Sequence, residues 1–103
     1  FIERNLMNVE ENYKQKIVSL ISAILPNTKI YLFGSRATGK HSTGSDIDVA
    51  LDTGEKVSRH VVSEIKEILS ATNIPYKIDV VDIHSVPQNM CSLILKEGIL
   101  WKS

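Results

Sequence analysis

The chain has 103 residues, twelve basic and twelve acidic side chains, and no run of like charge; it fits one domain with one core spanning residues 1–103 and leaves no room for a second. Balanced charge gives no electrostatic reason for nucleic acid or a membrane surface as the main partner. No apolar run approaches the ~20 residues of a spanning helix and no leader pattern opens the chain, so a cytoplasmic protein is expected.

Asn8 is positioned to cap a first helix, with Glu11 as its capping-box partner and Val9, Tyr13, Ile17, Leu20, Ile21 and Ile24 at helical spacing. Pro26-Asn27 closes it. Lys29 to Phe33 is β-branched, aromatic and apolar on both faces, as in a strand covered on each side, and Gly34 ends it. Ser35 then starts a short helical turn through Arg36, Ala37 and Thr38, which Gly39 stops, and a polar loop follows to Ser45. From Asp46 to Asp52 the pattern alternates: Ile47, Val49 and Leu51 share one face, and Asp46, Asp48, Ala50 and Asp52 the other.

Val57, Val61, Ile65, Ile68 and Leu69 form the apolar stripe of a long amphipathic helix ending near Ala71 to Asn73. Tyr76 to Ile83 reads as the next strand. Ser85 and Gln88 predict a second capping box for a helix through Met90, Leu93 and Ile94, with Gly98 as its stop. Ile99-Leu100-Trp101 is either a short last strand or an apolar tail. The order predicts an α/β (α+β) domain, a small mixed sheet flanked by helices. Cys91 is the single cysteine, which excludes a disulfide framework and a thiolate metal site, and it reads as a core residue. His41, His60 and His84 are spaced too widely for a local zinc pair and read as surface or packing residues.

Ten residues separate Gly34-Ser35 from Asp46-Ile47-Asp48. The stretch from Gly34 to Gly39-Lys40 has the spacing of a P-loop, but His41 stands where that loop needs a hydroxyl for magnesium, and no long helix follows. A different arrangement uses every unusual residue. Backbone amides at the Gly34-Ser35 turn can hold triphosphate oxygens, with the Ser35 hydroxyl as a further donor. Asp46 and Asp48 project from one face, where two charges ~4 Å apart repel by ~4 kcal/mol at an effective dielectric of ~20. A divalent cation relieves that repulsion, and Mg²⁺, which prefers oxygen ligands and bridges carboxylates to nucleotide phosphates, suits the pair as one or two ions. Arg36 and Lys40, beside the turn, are candidates for triphosphate contacts.

Gly-Ser, about ten residues, then Asp-x-Asp resembles the signature of the nucleotidyltransferase superfamily related to DNA polymerase beta. The small size and the Glu97 to Trp101 ending resemble its minimal (MNT) group. The resemblance covers most of the chain, and departs where Thr38 replaces a second arginine common in the family. It implies the nucleotidyltransferase fold and a third carboxylate on the Ile78-Asp79-Val80 strand. Asp79 and Asp82 compete for that role on opposite faces of the strand. Asp79 lies mid-strand, where an unpaired charge is costly, so a metal-site role explains it better than solvation; Asp82, nearer the strand end, reads as solvated.

The expected reaction is transfer of a nucleoside monophosphate, AMP from ATP, to an acceptor hydroxyl. Asp46, Asp48 and Asp79 are the expected catalytic and metal residues, and Gly34, Ser35, Arg36 and Lys40 the nucleotide-binding ones. A chain this small shows no acceptor-binding domain, so a second subunit would supply the hydroxyl in a homo- or hetero-oligomer. The resemblance implies a helical HEPN protein as that partner, AMP on its tyrosine, and an antitoxin role for this chain. Two alternatives stand beside this reading: a module that neutralises its partner by contact alone, and an adenylyltransferase of small hydroxylated molecules such as aminoglycosides.

Overall fold

Three of the four strands run through the sequence where apolar residues alternate or mass together, and all four join one mixed sheet. The computed structural model describes residues 8–40 and 44–103. In chain order the elements are α1 (Glu11–Ile24), β1 (Lys29–Phe33), α2 (Ser35–Thr38), β2 (Ile47–Asp52), α3 (Arg59–Ser70), β3 (Ile78–Asp82), α4 (Gln88–Glu97) and β4 (Ile99–Lys102). The strand order is β3-β2-β1-β4. β1 lies antiparallel to β2 and β4, whereas β2 and β3 are parallel and joined through α3. This is the expected small α/β sheet.

Strand alternation sorts side chains onto two unequal faces. Ile30, Leu32, Ile47, Val49, Leu51 and Val80 point to one face and are buried under Ile17 and Ile21 of α1 and Ile65 and Leu69 of α3. Tyr31, Phe33, Ala50 and Val81 point to the other, where α4 covers them with Ile94, Met90 and Cys91. β1 is therefore covered on both sides, as its composition predicted. α4 shields only part of its face, and Asp48 and Asp79 lie on that same face beside it.

Two helix starts differ from expectation. The N-cap of α1 is Glu10, with no side-chain cap bond; Asn8 instead donates from Nδ2 to the Arg36 carbonyl oxygen. α4 is preceded by Pro87 without a side-chain cap, because the Ser85 hydroxyl donates to Asp82 at 2.9 Å. A tertiary carbonyl takes the Asn8 side chain and a local carboxylate takes the Ser85 hydroxyl, so neither caps its helix. Only α3 has a side-chain cap among the described helices, with Ser58 Oγ accepting from the Val61 N–H at 3.3 Å.

Asp82 is a further correction. It is 3% exposed rather than solvated, and its carboxylate accepts from the backbone N–H groups of Val57 at 2.8 Å and His84 at 3.0 Å, besides Ser85. Three donors compensate the buried charge and tie the loops at the α3 start and the β3 end to one point. Among the described residues no helix is long and apolar enough to cross a membrane. The expectation for His41 lies outside the described residues; His60 and His84 are exposed, and Cys91 is half-buried against the α4 cluster.

Candidate active site

The two halves of the motif meet because β1 and β2 are antiparallel neighbours. β1 ends at Phe33, whose register partner is Asp48. Asp48 in turn pairs with Asp79 on β3. Phe33, Asp48 and Asp79 thus stand in one row across the sheet, on one face, with Gly34 at one end of the row. Gly34 has φ +79°, and a β-carbon there would overlap Asp48 Oδ2 and lie 3.2 Å from its Cγ. Glycine is needed both for the left-handed backbone and for the close approach of the carboxylate.

From that turn the chain enters α2, with Ala37 and Thr38 donating back to the Gly34 carbonyl at 3.1 and 3.3 Å. The N–H groups of Ser35 and Arg36, in the first turn, have no intrahelical acceptor and face the anion-accepting end of the helix. Gly39, left-handed at φ +79°, closes α2, and exposed Lys40 follows it.

Arg36 occupies a position its sequence context does not reveal. Only 3% exposed, it donates from Nε to the Ser45 carbonyl at 2.9 Å and from a terminal nitrogen to the Asn8 carbonyl at 2.9 Å. Its guanidinium stacks 4.3 Å from the centre of the Tyr76 ring, and that ring meets Tyr13 edge-on at 5.9 Å. The Tyr76 hydroxyl donates to Glu10 at 3.1 Å. A planar, always-charged fork suits this work, since it satisfies two carbonyls while lying flat on an aromatic face. Arg36 therefore fastens α2 to the segment that delivers Asp46.

Asp46 is exposed just before β2, and Asp48 is half-buried two residues on. Burial raises the Asp48 pKa above its ordinary 3.8, and the charges of Asp79 and then Asp46 raise it further; Arg36 and Lys77 pull it down by less. Burial first, and two neighbouring carboxylates second, therefore disfavour its charged form, which a divalent cation would favour. The Asp79 carboxylate is turned toward Lys66 on α3, 3.7 Å away, with both side chains about half exposed. Among the described residues, no three His, Cys, Asp or Glu side chains are gathered as a ligand set. Asp46 and Asp48 offer hard carboxylate oxygens, the donor type that suits Mg²⁺, whereas the Asp79 carboxylate is paired with Lys66.

Two clefts flank the row. One, about 260 Å³, lies at the Gly34 end between α2 and α4 and is lined by Phe33, Gly34, Thr38, Met90, Leu93 and Ile94 with Glu97. The other, about 420 Å³, lies at the Asp79 end and has Lys66 and Lys77 on its walls. Sequence reasoning missed both lysines, because nothing in the linear pattern distinguishes Lys66 from the other polar residues of α3.

Comparison with known proteins identifies the family. A family model described as polymerase beta, nucleotidyltransferase matches residues 5–103. The chain is 25% identical over 80 residues to a Haemophilus influenzae protein named probable protein adenylyltransferase MntA, covering 78% of this chain and 70% of that one. It is 29% identical over 86 residues to the protein adenylyltransferase MntA of Shewanella oneidensis, covering 82% of this chain and 61% of the relative. A crystal structure of a toxin-antitoxin with AMP-PNP contains a chain that matches with a TM-score of 0.74 and 27% identity, over 85% of this chain and 71% of that chain.

Proposed function

Since the chain belongs to the polymerase beta nucleotidyltransferase family, we propose that it is a protein adenylyltransferase that moves AMP from ATP to a hydroxyl on a partner protein. The observation that carries the reading is the row Phe33-Asp48-Asp79, with the Gly34 turn against Asp48. It sets a phosphate-accepting turn, a carboxylate pair and a further carboxylate side by side on an accessible face. The printed names of the two relatives, and AMP-PNP in the similar toxin-antitoxin structure, support a protein acceptor and an adenine nucleotide.

In the proposed reaction the acceptor oxygen attacks the α-phosphorus of ATP. The new O–P bond forms as the bond from that phosphorus to the bridging β-phosphate oxygen breaks, and pyrophosphate leaves. The Gly34-Ser35 turn holds the terminal phosphates through backbone N–H groups and the Ser35 hydroxyl. Arg36 keeps that turn at a fixed distance from Asp46 rather than reaching the phosphates itself, and Lys40 adds positive charge from the exposed rim. Asp46 and Asp48 would hold Mg²⁺ as one or two ions. When bound, Mg²⁺ neutralises charge on the phosphates and favours ionisation of the acceptor hydroxyl. Asp79 completes the carboxylate set and accepts the acceptor's proton. We propose a cytoplasmic location, which the use of ATP on a protein acceptor supports.

The acceptor we propose is a helical HEPN-type partner, with this chain as the antitoxin of the pair. Mixing the chain with such a partner, ATP and Mg²⁺ should add AMP masses to the partner by intact mass spectrometry. The paired change Asp46→Asn with Asp48→Asn should abolish both labelling and neutralisation. Neutralisation that survives this pair of changes would replace transfer with simple contact as the mechanism.

A further inference from the structure

The reacting groups are laid out along a line, and that line fixes the side from which the acceptor arrives. Phosphoryl transfer places the attacking and leaving oxygens roughly opposite each other at phosphorus. Taking the proposed function as given, pyrophosphate leaves toward the Gly34-Ser35 turn at the end of β1. The carboxylates of β2 lie next, and β3 with Asp79 lies beyond them, following the strand order. An in-line acceptor must therefore approach over the Asp79 end of the row.

A cleft of about 420 Å³ opens there. Its floor is apolar: Leu69 and Ile74 are buried, and Ile78 and Tyr76 are half-buried. Lys66 and Lys77, both exposed, line it together with Asp79. Lys66 reaches the Asp79 carboxylate at 3.7 Å, and Lys77 stands on the same cleft wall, two residues before Asp79 on the chain. Two cations against one carboxylate leave the cleft with a positive surplus in a chain whose formal charge is otherwise balanced.

We infer that this cleft is the acceptor-docking site and that it takes a polypeptide segment in which acidic residues flank the hydroxyl-bearing one. The apolar floor, which lies on the α3 side of β3, takes an apolar neighbour of the modified residue, while Lys66 and Lys77 pair with the flanking carboxylates. Docking also acts on Asp79. An acceptor carboxylate that takes over Lys66 releases the Asp79 carboxylate to turn toward Asp48 and the incoming hydroxyl. A bound acidic acceptor thereby completes the site that receives it.

The test reads binding separately from transfer. Three fluorescein-labelled peptides of equal length, each with one central tyrosine and acidic, neutral or basic flanks, are titrated into the full chain with a non-hydrolysable ATP analogue and Mg²⁺. The acidic peptide should bind about fivefold or more tightly than the neutral one, the size expected of two exposed ion pairs. Lys66→Gln with Lys77→Gln should abolish that order. Equal affinities in the parent chain, or an acidic preference that persists in the double variant, would overturn the inference. So would a single-stranded oligonucleotide that binds the cleft more tightly than the acidic peptide and is lost with the same lysines. Failure to bind ATP or to release pyrophosphate would instead count against the proposed function, leaving the peptide preference as an independent result.

Discussion

The Asp48 carboxylate occupies the space that a β-carbon at Gly34 would need. The Gly34 turn and the Asp48 carboxylate of β2 are therefore in close contact, with no side chain between them. Gly34→Ala forces that contact apart and places a β-carbon on a backbone at φ +79°, a conformation costing roughly 1–3 kcal/mol. Urea unfolding should register a loss of that size. AMP transfer should fall by about a hundredfold or more, the penalty expected when reacting groups are displaced by about 1 Å. Near-parental transfer by the alanine variant would show that Asp48 does not work from this position.

Arg36→Lys keeps the charge but not the fork or the flat stack on Tyr76. Losing the paired bonds to the Ser45 and Asn8 carbonyls should cost roughly 2–3 kcal/mol in unfolding experiments. Because Arg36 ties the turn to the approach of Asp46, KM for ATP should rise together with a fall in kcat. A direct phosphate ligand replaced by lysine would instead weaken ATP binding with little loss of fold stability.

Two carboxylates of β2 respond to pH with opposite sign. Asp48 has its pKa raised by burial, then by Asp79 and Asp46, so the native state holds this proton more tightly than the unfolded chain does. Its contribution is favourable below the ordinary 3.8 and is lost as pH rises through the raised folded value. For Asp52, burial pushes upward, but the His84 hydrogen bond, the Gly54 N–H and the charge of His84 together carry the pKa below 3.8. Its contribution is present above 3.8 and is lost as pH falls through the lowered folded value. Asp48→Asn should thus raise the metal-free Tm near neutral pH while abolishing transfer, and His84→Ala should move the onset of acid unfolding to higher pH. Thermal melts across the acidic range check both signs.

Asp82→Ala removes a buried acceptor from three donors. Stranding the Val57 and His84 N–H groups should cost roughly 2–4 kcal/mol. The change lies on the α1/α3 side of the sheet, away from Asp48 and Asp79. At a temperature where the variant remains folded, kcat should stay within about threefold of the parent, since no reacting group moves. A melt paired with a rate measurement separates this structural carboxylate from the catalytic ones.

What the sequence disclosed follows from the kind of force involved. β1, β2, α2 and α3 were legible because apolar periodicity and glycine punctuation act locally. The expected caps at Asn8 and Ser85 do not form because Asn8 has a distant partner, the Arg36 carbonyl, and Ser85 a nearby charged one, the Asp82 carboxylate. Asp82 looked solvated for the same reason: its donors come from 25 residues upstream as well as from the adjacent turn. Spacing brought Gly34, Ser35, Asp46 and Asp48 into view, and strand register places Gly34 against Asp48 and puts Asp79 in the same row. The burial of Arg36 and the reach of Lys66 to Asp79 depend on tertiary packing alone and leave no mark in the linear pattern.

The bond from Arg36 to the Ser45 carbonyl also makes the spacing of the motif a spatial quantity. It joins the first turn of α2 to the residue directly before Asp46, so the distance from turn to carboxylates is set by the reach of one side chain across the fold. A planar, pre-organised fork holds that distance with less entropy lost per bond than a flexible ammonium would.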